Sequence, residues 1–237
     1  MYSTLPFETL IMGKEPSPAN RWYPLSISTY KSAFNKLNMS FENSRALKSN
    51  LAYSLQYLEF LEKELSELKI SDVIYVMLVK TYVITAMSVL EGLFSNIVKS
   101  NGWWKMDDKV ELVTFQSNDK IFEGKRCIIK SEIYEKVEKY PCQMTLDELI
   151  TRLDNHHDAL QVNHLVYPAL RRLKEFRNRI HLQKNEFETD HDYNAFDYRV
   201  KQEMGSILYE ILTSPMVTDY PQYFEFLKTN ETASGNG

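Results

Sequence analysis

Leucines recur at three- and four-residue steps over 47–68, which is the hydrophobic period of an amphipathic helix. This stripe predicts a long helix over about 44–69. Ser71 provides an N-cap for a second helix over about 72–100, which Gly102 ends. Apolar residues lie on nearly every side of the second helix, so we expect it to be buried. The short connection predicts that the two helices form an antiparallel pair at the start of a helical bundle.

The pattern then changes to period two, the period of a half-buried strand. Apolar and polar residues alternate over 109–115, and a second β-favouring stretch covers 126–129. Turn-forming residues separate the two stretches, and Pro141 ends the segment. We therefore expect a small β-hairpin inserted between bundle helices over 103–140.

Three more hydrophobic stripes predict helices over 146–155, from about 163–167 to 182, and over about 193–212. The aromatic- and proline-rich start is typical of an irregular arm that packs on the body. The predicted fold class is therefore all-α. Its parts are an N-terminal arm over 1–42, a helical bundle over 43–213 that carries the 103–140 insert, and a C-terminal segment with a disordered tail over 214–237.

Composition narrows the class of protein. The chain has 28 Lys and Arg against 32 Asp and Glu, so an RNA-binding surface must be a local patch. Two cysteines are too few for a disulfide scaffold or a zinc ribbon. The start does not resemble a signal peptide, and no uncharged apolar stretch reaches 18 residues. These features predict a cytoplasmic protein that does not bind a membrane.

The candidate chemistry lies in the basic segment from Leu170 to Leu182. On a helical wheel its apolar residues share one face, and Arg177 lies within about 45° of the centre of that face. His181 follows one turn later on the same flank. A guanidinium and an imidazole on an apolar seam can cleave RNA without a metal ion. The imidazole transfers a proton near neutral pH, and the guanidinium stabilises charge on the phosphate.

The run Arg177-Asn178-Arg179-Ile180-His181 resembles the signature of the HEPN superfamily. These are helical-bundle proteins of toxin–antitoxin, phage-defence and CRISPR-associated systems, and many are metal-independent ribonucleases. The resemblance implies that Arg177 and His181 are catalytic and that Asn178 and Arg179 bind or orient the substrate. It also implies a homodimer through the late-helix seam, RNA as substrate, an antitoxin or other partner protein, and no cofactor. The family usually leaves four to six residues between Arg and His, whereas three separate them here.

Two hypotheses from different classes stay open. The first is a HEPN-type endoribonuclease that cleaves RNA by 2′-hydroxyl attack. The second is a non-catalytic HEPN-like module for dimerisation or regulation that binds a protein or a nucleotide. The second predicts that Arg177 forms an intramolecular ion pair, and Glu91, an acid within an otherwise apolar helix, is the candidate partner.

A histidine-rich stretch at His156, His157 and His164, beside Asp154 and Asp158, is the other place where polar groups gather. It lies where a helix ends and a loop begins, a position where polar residues are expected without any metal. We therefore predict no metal site.

Overall fold

A computed structural model describes residues 24–39, 44–179 and 192–228. The chain divides into two compact units. A helical unit is formed by the chain up to Gly102 and again from Leu146 onward, and a β unit covers 103–145. The helices within the described residues are α1 (Ile27–Ala33), α2 (Ser44–Glu67), α3 (Asp72–Ser100), α4 (Leu146–Asn155), α5 (Val166–Asn178), α6 (Asp192–Ala195) and α7 (Tyr198–Leu212).

α3 is the central helix of the helical unit. It packs against α2, α4, α5 and α7, so apolar side chains are buried around most of its circumference. Helices over 72–100 and 146–155 were predicted from the sequence and are confirmed with these bounds. α2 lies against α3 through one leucine stripe, whose buried members are Leu51, Leu55, Leu58 and Leu61.

Within the described ranges, α3 is the one helix that is long and apolar enough to cross a membrane by length and composition. Half of its most apolar 18-residue window is buried inside the protein. Val79, Val83 and Leu90 in this helix have no exposed surface. This placement is compatible with a soluble protein whose core helix is apolar.

The predicted last helix over 193–212 is two helices. The chain leaves α6 after Ala195 and starts α7 at Tyr198. Asp197 causes the new start, because its side chain accepts a hydrogen bond from the Val200 N–H at 2.9 Å and satisfies an otherwise unpaired donor of the first turn.

A helix of the N-terminal segment packs against the C-terminal segment. Pro221–Leu227 forms a 3-10 helix, and Phe224 lies between the rings of Tyr30 and Phe34, with centroids 6.4 Å from each. All three rings are fully buried, so the two ends of the described chain share one aromatic cluster. The predicted arm before Pro24 and the predicted tail after Lys228 lie outside the described residues.

The β unit makes the all-α prediction wrong. β1 (Met106–Gln116) pairs antiparallel with β4 (Lys130–Pro141), and a short hairpin of β2 (Lys120–Phe122) and β3 (Lys125–Cys127) lies between them. The sequence pattern predicted a hairpin of the stretches 109–115 and 126–129. This pairing is wrong, because the strand that pairs with β1 is β4, at 130–141. Apolar residues are sparse among the charges of β4, so its period-two pattern is weak.

One face of the long ribbon of β1 and β4 is polar, and the other is mainly apolar, with Glu135 opposite Val110 and Ser131 opposite Phe115. Opposing pairs such as Glu111–Tyr134 and Thr114–Glu132 share the polar face, where Thr114 donates to Glu111 and Tyr134 donates to Glu132. Lys130 Nζ also donates to Glu132 at 2.6 Å. The register shifts by one residue at Leu112, which is a β-bulge. Large apolar side chains are exposed on this ribbon, among them Val110, Leu112, Val113, Phe115 and Ile133.

Candidate functional site

The basic residues of α5 form ion pairs with three other helices. Arg171 Nη2 lies 2.8 Å from Asp154 Oδ2, and Lys174 Nζ lies 2.6 Å from Asp147 Oδ1, both on α4. Arg172 pairs with Glu203 of α7. The pair with Asp147 raises the pKa of the Lys174 ammonium above its usual value. Asp147 and Asp154 of α4 thus face the basic side of α5.

The fourth ion pair involves Arg177, one of the two residues predicted to be catalytic. Arg177, in the last turn of α5, places Nη2 at 2.7 Å from Oε2 of Glu91 on α3. Glu91 is the partner that the second hypothesis names, so this ion pair is confirmed. Each of the two side chains is 32% exposed. The pair therefore lies at the boundary between core and solvent, where water screens part of its attraction.

The neighbouring predicted residues lie beside Arg177 at the end of α5. Asn178 is the last residue of the helix, and its Nδ2 lies 3.4 Å from Glu175 Oε2. Arg179 is the C-cap, and its backbone N–H bonds to the Phe176 carbonyl at 3.1 Å. The structure brings Arg177, Asn178 and Arg179 together. The predicted helix ran on to Leu182, but His181 lies outside the described residues, so its place beside Arg177 stays a prediction.

The ion pairs change what the basic segment can do electrostatically. From residue 171 to 184 the chain has six Lys or Arg and one Glu, a composition that suits phosphate binding. In the fold, Arg171, Arg172, Lys174 and Arg177 each face a carboxylate from another helix. An approaching phosphate therefore meets negative charge beside each of these cations.

A second charged cluster is buried, and the sequence analysis missed it. Lys201 of α7 forms an ion pair with Glu62 of α2, and their side chains are 10% and 15% exposed. The Lys201 Nζ also lies 5.9 Å from the centre of the Tyr82 ring. A signal was available, because Lys201 shares the buried stripe of Met204 and Leu208 at helical spacing.

Two atoms of this cluster face each other without a well-aligned hydrogen bond. Neither Glu62 Oε2 nor the Tyr82 hydroxyl has a partner among the described residues, although both atoms are buried. Burial raises the pKa of Tyr82 well above its usual value, and the nearby Glu62 carboxylate raises it further. Gly205 leaves room for the hydroxyl, since a Cβ there would lie 3.2 Å from it.

Lys80 provides a further buried cation near the candidate segment. It lies in the third turn of α3, and its Nζ donates to Asp192 Oδ2 of α6 at 2.6 Å. The same nitrogen lies 5.9 Å from the centre of the Phe196 ring. Because Lys80 is 7% exposed, this pair fixes the start of α6 against the core helix.

The histidine-rich stretch is a surface feature. The rings of His157 and His164 are 4.7 Å apart, and His157 Nε2 lies 3.5 Å from Asp158 Oδ1. In the ranges that the structure describes, no group of three or more His, Cys, Asp or Glu residues is placed to hold a metal ion.

Comparisons with known proteins give no family. No family model, no curated protein and no solved structure matches this chain. The resemblance to the HEPN superfamily therefore stays a prediction that rests on Arg177, Asn178 and His181.

Proposed function

We propose that the helical unit is a non-catalytic, HEPN-like module that binds another protein in dimerisation or regulation, and that it acts in the cytoplasm. The observation that supports this proposal is the ion pair between Arg177 and Glu91 at 2.7 Å. If the role of Arg177 is structural, its charge must be paired with an acid of the same chain. Glu91, on the central helix α3, is that acid.

Electrostatics favours this role over phosphate binding. To hold an RNA phosphate, Arg177 would have to exchange the Glu91 carboxylate for the phosphate or share its guanidinium between the two. Either arrangement leaves two negative groups close together, which costs free energy unless another cation is added. The charges of Arg171, Arg172 and Lys174 are also balanced by carboxylates of the same chain, so these residues do not supply the extra cation. This argument also favours a protein over a nucleotide as the ligand.

An endoribonuclease is the second candidate, and one observation favours it. About a third of the Arg177 side chain is exposed, so a phosphate can reach the guanidinium from solvent. In this version Arg177 stabilises the charge on the phosphate and His181 transfers the proton, with Asn178 and Arg179 orienting the RNA. RNA is then the substrate, an antitoxin is the expected partner, and two copies supply one site through the late-helix seam.

A cleavage assay on matched variants separates the two candidates. The full chain is incubated with single-stranded and structured RNA in excess chelator, beside His181→Ala, Arg177→Ala and Glu91→Gln. The binding-module proposal predicts no cleavage by the wild type beyond that of His181→Ala. It also predicts that Arg177→Ala and Glu91→Gln both lower the free energy of unfolding.

RNA cleavage that depends on His181 would contradict the binding-module proposal. Cleavage by the wild type that is lost in His181→Ala, with unchanged thermal unfolding, overturns the binding-module proposal and establishes the ribonuclease. Arg126→Ala is the matched control because Arg126 is an exposed arginine of β3, which belongs to the β unit and not to the helical unit that contains the candidate segment.

A further inference from the structure

The β ribbon leaves the outer edges of both β1 and β4 unpaired within the part of the chain that the structure describes. β4 pairs with β1 along one edge, and no described strand pairs with the other. An open strand edge presents backbone N–H and C=O groups that a further strand can bind. A two-stranded ribbon is marginally stable by itself in water, whereas three or more strands with an apolar face are stable. The edge of β4 is therefore suited to strand addition.

The polar face of β4 carries a charge pattern that complements itself. Lys130, Glu132, Tyr134 and Lys136 occupy alternate positions in the regularly paired stretch of β4 and share one face. When two copies of β4 run antiparallel about Tyr134, each Glu132 lies opposite Lys136 of the other copy. The two tyrosines meet at the centre. Opposite charges at directly opposed positions stabilise a strand pair.

We propose that a second copy of this chain pairs with β4 in this way, about a two-fold axis at Tyr134. The result is a continuous sheet of four strands in the order β1–β4–β4–β1. A two-fold axis perpendicular to the sheet keeps the apolar faces of both ribbons on the same side. The interface uses residues of the β unit alone, so it does not depend on the function proposed for α5.

Other symmetric registers are less favourable. Centring the pair on Glu132, Glu135 or Lys136 places that charged residue opposite its own copy. Centring it on Ile133 places Lys130 opposite Lys136. Like charges at opposed positions destabilise a strand pair.

A register centred on Val137 also avoids like charges, but the strand is irregular there. Its centre falls where residues 137–139 lie opposite the single residue Asp108, and its end falls at Pro141, which has no N–H to donate. The Tyr134 register instead uses mainly the regularly paired stretch from Lys130 to Lys136.

The outer edge of β1 is protected against the same pairing. The bulge at Leu112 bends the strand and interrupts its row of hydrogen-bonding groups. Asp107 and Asp108 add two successive negative charges at its start. A bulge is one of the means by which a sheet edge resists pairing. β4 has no bulge of its own from Lys130 to Lys136, so the second copy binds along this stretch of β4.

Charge reversal in the full chain tests the proposal. We expect sedimentation velocity at low ionic strength to give twice the monomer mass of 27.9 kDa for the wild type. Glu132→Lys turns two attractive pairs into two repulsive ones and should raise the dimer dissociation constant by about tenfold or more. Glu132→Lys combined with Lys136→Glu restores opposite charges and should restore the dimer. Glu132→Gln is the control, because it removes the charge that Lys130 and Tyr134 contact within one chain without adding a positive charge at the interface.

A cross-link tests the register. In a background with Cys127→Ser and Cys142→Ser, Tyr134→Cys should form an intermolecular disulfide under mild oxidation, and Val137→Cys should not. A wild type that stays monomeric at about 100 μM overturns the proposal, as does a dimer that Glu132→Lys leaves intact. Cross-linking at Val137 alone overturns the register. The RNA cleavage assay does not depend on pairing at β4. The dimer proposal and the proposed function can therefore fail independently of each other.

Discussion

Arg177 and Glu91 are 86 residues apart in the sequence, and their side chains meet at 2.7 Å. The contact joins the end of α5 to the central helix α3, just before the chain enters residues 180–191. It gives the arginine of the candidate motif a partner inside its own chain. The first prediction measures how much this contact stabilises the fold.

Arg177→Ala and Glu91→Ala should each lower the free energy of unfolding by about 1 kcal/mol, because each leaves a half-exposed charge without its partner. The double variant should lose less than the sum of the two, with a coupling energy of about 0.5 to 1 kcal/mol. Urea unfolding of the four proteins gives the cycle. Additive losses would show that the ion pair contributes nothing to stability.

Lys201→Ala should destabilise the protein much more, by about 3 kcal/mol, because it leaves the buried Glu62 carboxylate uncompensated. Lys201→Met combined with Glu62→Leu should recover most of this loss, since two apolar side chains replace both charges. Chemical denaturation measures both variants. A double variant as unstable as Lys201→Ala would contradict the uncompensated Glu62 carboxylate as the cause of the loss.

Two fully buried tyrosines should respond differently to removal of the hydroxyl. The Tyr30 hydroxyl donates to Glu59 Oε2 at 2.5 Å, so Tyr30→Phe should cost about 1 to 2 kcal/mol. The Tyr167 hydroxyl is buried without a hydrogen-bond partner among the described residues. Tyr167→Phe should therefore leave stability unchanged or raise it by up to about 1 kcal/mol. Thermal unfolding of the two variants compares them directly, and equal losses would contradict this account.

Alkaline pH should destabilise the protein through the same tyrosine. Burial, with the nearby Asp154 charge, raises the pKa of Tyr167 from 10.0 to about 12. The folded state then holds this proton more tightly than the unfolded chain. The contribution to stability is complete below about pH 10 and is lost as the pH rises from 10 towards 12. Urea midpoints from pH 8 to 11 should fall less for Tyr167→Phe than for the wild type, and parallel curves would contradict the prediction.

Much of the helical unit can be predicted from local pattern. The stripe of leucines in α2 and the all-round apolar surface of α3 fix those helices, since period and capping are properties of neighbouring residues. The break at Asp197 was missed, because an N-cap inside a continuing apolar stripe is visible only once the backbone turns. The length of β4 was missed because charges dominate its sequence and hide the alternation.

The sequence by itself determined the amphipathic helices, the apolar core helix and the run from Arg177 to His181 as the candidate chemistry. Only the tertiary structure decided that Arg177 lies against Glu91, that Lys201 lies against Glu62, and that the strand paired with β1 is β4. The physical reason is the distance along the sequence over which each interaction acts. Helical period and caps act over a few residues, whereas the partner of a charge or of a strand depends on how distant segments pack.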